Sequence, residues 1–388
     1  MSLQNSHIRY FRKVLKQVII SVTSDLVTDQ RVHRTASTLK ESGYKILVIG
    51  RRLPSSAELA GKKYRCKRFQ LWFHKGPLFY ASYNLRLFWF LLFSKAEILL
   101  SNDLDTLPAN YLISKLKRIP LVYDSHEYFT GVPELVNRPR VQRIWKKIEA
   151  RILPHLQYAY TVNDSIARLY REEYGVEFLS IRNVPEPRRY AKRDKALLRR
   201  ELKLPTDKRI ILLQGAGINI QRGAEEAVEA MQYLENYLLL IVGGGDVLPV
   251  LKKIVAEYKL GDKVRFEGKK PPSELVFYTE SADLGLSLDK DTNLNYRYSL
   301  PNKLFDYIHA GIPVLVSDLP EVRAIVDQYN IGSIATSHDP RYLAGKIEEM
   351  FQHPEMMEQM TRNLEAAARE LNWETERKKL TDLFKNIG

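Results

Sequence analysis

SLPNKLFDYIHAGIPVLVSDLPE, running from Ser299 to Glu321, brings a helix start, a carboxylate and a following strand into one short unit. Pro301 fits a first helical turn, where its missing N–H costs no hydrogen bond; Lys303 to His309 continue the helix and Ala310-Gly311 end it. Pro313 to Ser317 then reads as a buried parallel strand. A helix N-terminus offers unpaired N–H groups and partial positive charge, so the turn holding Ser299, Pro301 and Asn302 suits a diphosphate. Lys303 adds charge there, and Asp306 lies one turn further in, at the distance of a ribose.

Outward from this unit, the second half of the chain alternates apolar runs with helical stretches. RIILLQG, LLLIVGGGD, VRFEG, ADLGLSL, PVLVSD and IGSIAT are the strands, and the segments Gly223 to Tyr233, Val247 to Tyr258 and Ser273 to Ser281 are helices. The first half does the same. VIISVTS, KILVIG, EILLSND, PLVYDS, AYTVND and FLSIRNV are separated by a helix from Gln30 through Ser42, aromatic helices, and helices near Leu107 to Lys117 and Val141 to Ile152. Alternation of this kind predicts parallel sheets with helices on both faces. The polar, proline-containing stretch Pro185 to Arg199 reads as an interdomain link. With 388 residues, two domains are expected: 1–188, 189–366, and an end helix in 367–388 that returns toward the first.

FDYIHAGIPVLVSD resembles the C-terminal signature of the retaining glycosyltransferases of family four, in which a Glu precedes an A-x-G-x-P-V run. Asp306 stands in the Glu place, and Tyr298 stands where that family has a second Glu eight positions earlier. The resemblance implies the GT-B architecture: α/β, with two Rossmann-like doubly wound domains facing a cleft. It also implies transfer of a sugar, with retention, from a nucleoside-diphosphate sugar, an activity of the EC 2.4 class.

The same resemblance distributes roles along the chain. Gly215 and Gly217, in the loop running to Arg222-Gly223, correspond to a phosphate loop whose first Arg is here Ala216; Arg222 is the candidate to neutralise the departing diphosphate, beside Lys303. Gly243 and Gly244 end a strand near the donor, and the turn at Gly268 lies near the nucleobase. In the first half, LVYDSHEYF puts His126 just past a strand end, a catalytic candidate whose neutral imidazole would hydrogen-bond a sugar hydroxyl or stabilise positive charge developing on the anomeric carbon, with Glu127 beside it on the acceptor side. Asp29 and Arg31 replace a Gly-Gly pair on the acceptor side, where Asp29 is equally suited to cap its helix, and Asp103 follows another strand.

Bulk properties narrow the reading further. A single cysteine, Cys66, excludes an intrachain disulfide and suits a reducing cytoplasm. The net charge of +14 implies an anionic partner. Basic residues from Lys62 to Arg86, interleaved with Trp72, Phe73, Phe88, Trp89 and Phe90, favour an anionic membrane surface; aromatics packing a helix onto the sheet is the equal alternative. Arg9, Arg12, Lys13 and Lys16 precede an apolar run too short for a signal peptide, and Leu87 to Phe93 is too short to span a bilayer, so a cytoplasmic, at most peripheral, protein is expected. Asp103-Leu-Asp105 and Asp289-Lys-Asp291 match Asp-x-Asp, but a positively charged diphosphate site predicts no metal and no other cofactor; only the charge supports a nucleic-acid binder, and with no recognised nucleic-acid module no such partner is expected. The expected acceptor is a saccharide or lipid-linked saccharide of bacterial surface polysaccharide synthesis. A sugar-nucleotide epimerase of the same fold and a non-catalytic nucleotide-binding partner are the alternatives.

Overall fold

The computed structural model describes residues 15–27, 29–59, 61–187 and 193–387. Arg9, Arg12 and Lys13, and residues 188–192 of the stretch read as a link, lie outside them. The described part of that stretch includes a helix, Lys195–Glu201, which Asp194 caps by accepting from the Leu197 N–H; the polar composition had concealed it.

Two sheets form. The first holds β1 (Gln17–Ser21), β2 (Lys45–Arg52), β3 (Arg65–Gln70), β4 (Ile98–Asn102), β5 (Leu121–Ser125), β6 (Tyr158–Thr161) and β7 (Leu179–Ser180), in the order β3-β2-β1-β4-β5-β6-β7. The second holds β8 (Arg209–Gly215), β9 (Tyr237–Gly243), β10 (Val264–Gly268), β11 (Leu284–Ser287), β12 (Val314–Ser317) and β13 (Gly332–Ala335), in the order β10-β9-β8-β11-β12-β13. Both central strands pair in parallel on each side: β1 with β2 and β4, β8 with β9 and β11. The chain winds outward one way and then the other, so each sheet has a reversal point between its first and fourth strands, where open α/β sheets bind ligands at the carboxyl edge.

The strands are continuous apolar runs because helices cover both faces; all seven residues of β9 are buried. The described residues fall into two compact units, one within 15–126, 147–160 and 380–387, the other within Glu127–Lys146 and Thr161–Lys379. Ile20, Val48 and Leu100 stand in register at the centre of the first sheet. Leu213, Ile241, Leu286 and Leu315 belong to the core of the second.

Strand β3 corrects the sequence reading, which left Arg65 to Gln70 as a basic run. Only Phe69 is fully buried there, and Arg65 and Lys67 reach solvent, as an edge strand permits. Three helices of the first unit matter below: α1 (Gln30–Glu41), α2 (Gly76–Leu92) and α3 (Leu107–Lys117). In the second unit, α4 (Asn302–Ala310) follows β11; Pro301 is its N-cap rather than part of its first turn, and Gly311 closes it with φ of 68°, a left-handed value that glycine adopts without strain.

Candidate functional site

At the reversal point of the second sheet, β8 ends in Gln214-Gly215 and β11 is followed by Leu288-Asp289. Asp289 is almost wholly buried, and two cations share it: Arg222 Nη1 donates to Oδ1 at 3.0 Å, and Lys303 Nζ lies 3.4 Å from Oδ2. Gly223 makes this approach possible. Its φ is 69°, and a Cβ on it would sit 2.3 Å from the Leu288 carbonyl oxygen. The Lys290 N–H donates to the Gln221 carbonyl at 2.9 Å, tying the two loops together, and the Arg222 guanidinium stacks over Tyr296 at 4.7 Å.

Burial alone would lower the pKa of the Arg222 guanidinium, but Asp289 raises it above the usual arginine value. Burial lowers that of the Lys303 ammonium; Asp289 opposes the shift and Arg222 adds to it. Arg222 Nε, Asp289 Oδ2 and Ser299 Oγ are buried polar atoms without a hydrogen-bond partner among the described residues. Such groups are rare in folded proteins except where a ligand completes them. Two cations with one shared carboxylate leave an excess of one positive charge, a composition suited to a multivalent anion.

Asp306 lies on α4 and accepts from Gln214 Nε2 at 2.8 Å. Gln214 is itself buried, and its Oε1 accepts from Thr279 Oγ1 at 2.7 Å, so the amide is held at both ends. Tyr307 donates its hydroxyl to the carbonyls of Leu212 and Leu286, fixing α4 across β8 and β11.

Gly217 is exposed in the loop after β8, between Gly215 and Arg222. Gly243 and Gly244 join the ends of β8 and β9. Gly243 has φ of 148°, and a Cβ there would meet the Gly215 carbonyl oxygen at 1.8 Å. The Gly244 N–H donates to that same oxygen at 3.2 Å, and the Ile218 N–H donates to the Gly244 carbonyl. Gly268 ends β10, while neighbouring Glu267 is paired with Arg265 and Tyr278. Asn302 accepts from Asn183 at 2.9 Å, Glu127 accepts from Asn295 at 3.0 Å, and the Tyr298 carbonyl accepts from Asn163 at 2.7 Å.

A separate cluster forms in the first unit beyond β4 and β5. Asp124 is fully buried and accepts from Arg31 Nη2 at 2.6 Å and from its Nε at 3.1 Å. His126 sits between two carboxylates, Nδ1 3.2 Å from Asp103 and Nε2 3.2 Å from Asp124. Asp103, at φ of 57°, also accepts from the His126 backbone N–H at 2.9 Å. Burial works against protonating His126, but Asp103 and Asp124 outweigh it and raise the pKa to about 9. The neutral imidazole expected from the sequence is therefore replaced by a fixed imidazolium, because both ring nitrogens face carboxylates. Burial pushes Asp124 upward, and Arg31 and His126 bring it down to about 2. Asp29 caps α1, accepting from the Val32 N–H at 3.1 Å and from Ser24. Both Asp-x-Asp pairs have protein partners as well: Asp105 accepts from Thr23 at 2.6 Å, and Asp291 binds Arg297.

A family model described as "Glycosyl transferases group 1" matches residues 194–367, and one described as "Glycosyltransferase Family 4" matches residues 29–186. Between them the two models match most of the chain, and both describe glycosyltransferases. Among curated relatives, a D-inositol 3-phosphate glycosyltransferase of Thermobispora bispora is 24% identical over 202 residues, 49% of this chain and 46% of the relative. The amylovoran biosynthesis glycosyltransferase AmsK of Erwinia amylovora is 26% identical over 145 residues, 36% of each chain. The matches thus span less than half the length of these relatives. Anabaena Alr3699/HepE in complex with UDP-glucose shares the fold at a TM-score of 0.73 and 14% identity, covering 95% of this chain and 99% of its own. The two parallel sheets are those of the GT-B glycosyltransferases.

Two parts of the candidate site escaped the sequence reading. Asp289 was seen only as half of an Asp-x-Asp pair, although its place directly after the buried strand LGLSL marks it as a strand-end carboxylate. Gln214 passed as part of the strand RIILLQG; a lone amide closing the apolar run RIILL was the available signal.

Proposed function

We propose that this chain is a retaining glycosyltransferase that moves a sugar from a nucleoside-diphosphate sugar to a saccharide or lipid-linked acceptor in bacterial surface polysaccharide synthesis. The observation that carries the reading is the Arg222–Asp289–Lys303 cluster at the reversal point of the second sheet, with the Nε of Arg222 left without a partner. A diphosphate there would meet two cations and the N-terminus of α4, and charge developing on the leaving group would be stabilised in a largely dry setting. Asp306, aimed by Gln214, would take the ribose hydroxyls. Arg31, Asp103 and His126 would form a fixed acceptor-side array in which the imidazolium offsets the carboxylates. Gly215, Gly217, Gly243, Gly244 and Gly268 would let backbone groups approach the donor. The relative named for amylovoran biosynthesis and the neighbour solved with UDP-glucose support the pathway class and the donor class.

Work at the inner face of the cell membrane belongs to the same proposal; no helix among the described residues is long and apolar enough to cross a bilayer. A metal is not required in this scheme, since Arg222 and Lys303 supply the positive charge. Activity abolished by EDTA and restored by manganese would overturn that part.

Thermal-shift titration with UDP, GDP, ADP and CDP tests the donor site, because a ligand that binds only the folded chain raises apparent stability. One selective diphosphate is expected to raise Tm, and the shift should vanish in Arg222→Ala and Asp306→Ala. No shift at millimolar nucleotide would remove the proposal.

A further inference from the structure

Helix α2 is apolar on two sides. Phe79, Tyr83, Leu87 and Leu91, spaced four residues apart, are buried against the first sheet, where the Tyr83 hydroxyl donates to the Val22 carbonyl at 2.6 Å. Leu78, Leu85 and Trp89 lie elsewhere on the helix, within about 40° of one another at 3.6 residues per turn, and all three are exposed. Phe93 is 80% exposed and stacks on Trp89, ring centroids 6.2 Å apart. The neighbouring helix α3 packs on α2 and exposes Leu112 and Leu116, one turn apart. Lys117 Nζ donates to the Leu91 and Ser94 carbonyls at 2.8 and 2.6 Å, fastening the end of α2 to the end of α3. Single exposed apolar side chains need no explanation, but six large ones on two fastened helices do.

The charge around them identifies what covers them. Neither helix contains an Asp or Glu. From Lys62 to Arg118 the chain has eleven Lys or Arg residues and three acidic ones, and Lys95, Lys115 and Arg118 are exposed at the ends of α2 and α3. Aromatic and leucine side chains on helices that contain no acidic residue, with cations at the helix ends, are the composition of a helix that lies in an anionic lipid interface. From the exposed residues of α2 and α3, with their basic rim, we infer that this face of the first unit docks on an anionic bilayer, burying Leu78, Leu85, Trp89, Phe93, Leu112 and Leu116 among the acyl chains. The inference deepens the proposal above, which brings the acceptor to a membrane, and gives it a location.

The chain carries its own reporter. Of its four tryptophans, Trp145 and Trp373 are buried, whereas Trp72 and Trp89 are exposed. Emission from the full chain, titrated with vesicles containing phosphatidylglycerol, is expected to shift to the blue and to be quenched by brominated acyl chains; pure phosphatidylcholine should give a far smaller change, and 0.5 M salt should weaken the response. The double variant Trp89→Glu, Phe93→Glu is expected to lose vesicle binding at least tenfold while remaining monomeric and keeping the wild-type nucleotide-induced rise in Tm. No change of emission with anionic vesicles, or equal binding to neutral ones, overturns the inference. So does a wild-type dimer by light scattering that the double variant abolishes, which would mean that a second copy covers the face. Because nucleotide stabilisation is read separately, failure of the membrane face is distinguishable from failure of the donor site.

Discussion

Asp289 accepts a hydrogen bond from Arg222 at 3.0 Å while being 1% exposed, and the same carboxylate neutralises Lys303 from its other oxygen. Removing one member of a buried ion pair leaves an uncompensated charge, typically at a cost of about 3–5 kcal/mol. Asp289→Ala is therefore expected to lower unfolding stability by roughly 3 kcal/mol in a denaturant titration. A variant as stable as wild type would show that Arg222 and Lys303 find other partners.

Arg222 and Lys303 act through one carboxylate and, in the proposed reaction, on one diphosphate. Each alanine variant is expected to lose on the order of 10²-fold in kcat, the usual effect of deleting one donor to developing charge. The double variant should lose less than the product of the two, since residues that share a partner couple. A cycle of four kinetic measurements decides it, and strict additivity would separate the two roles.

Gln214 reaches Asp306 at 2.8 Å while Thr279 holds its other end. Gln214→Ala frees the Asp306 carboxylate from its tether without touching the cations. Nucleotide affinity should fall by about 1 kcal/mol, the net worth of an ordinary hydrogen bond, with kcat nearly unchanged. If kcat fell as far as it does in Arg222→Ala, Gln214 would belong to the diphosphate site instead.

His126 titrates near 9 in the folded chain, above the unfolded value of about 6.5. A raised pKa gives stability that is fully present below pH 6.5 and is lost as pH climbs through 9, a change of roughly 3 kcal/mol. Asp124 works in the opposite direction: its depressed pKa, about 2, gives stability that is present above pH 4 and fades as pH falls through 2. Urea melts across pH 6 to 10 should show a decline for the wild type that is much flatter in His126→Gln. An equally steep decline in the variant would assign the loss to another group.

Much of the fold was legible because its signals are local. RIILLQG, LLLIVGGGD and PVLVSD are apolar runs of strand length set between helical periods, and a strand buried on both faces has no choice but to look that way. Strand β3 was missed because an edge strand needs only Phe69 inside and keeps its cations in water. The helix Lys195–Glu201 was missed because a short charged helix has the composition of a linker.

The sequence by itself determined the two doubly wound sheets, the glycine positions at their carboxyl edge, and the glycine that ends α4. Those features follow from the periodicity of burial and from backbone conformations that neighbouring residues settle among themselves. Only the tertiary structure decided that Asp289 unites Arg222 and Lys303, that Gln214 aims Asp306, and that Asp103 and Asp124 hold His126 as a cation. Apart from Asp124 and His126, which are two positions apart, these partners stand 14 to 92 positions apart along the chain, and their energies depend on distance and burial, which no local pattern encodes.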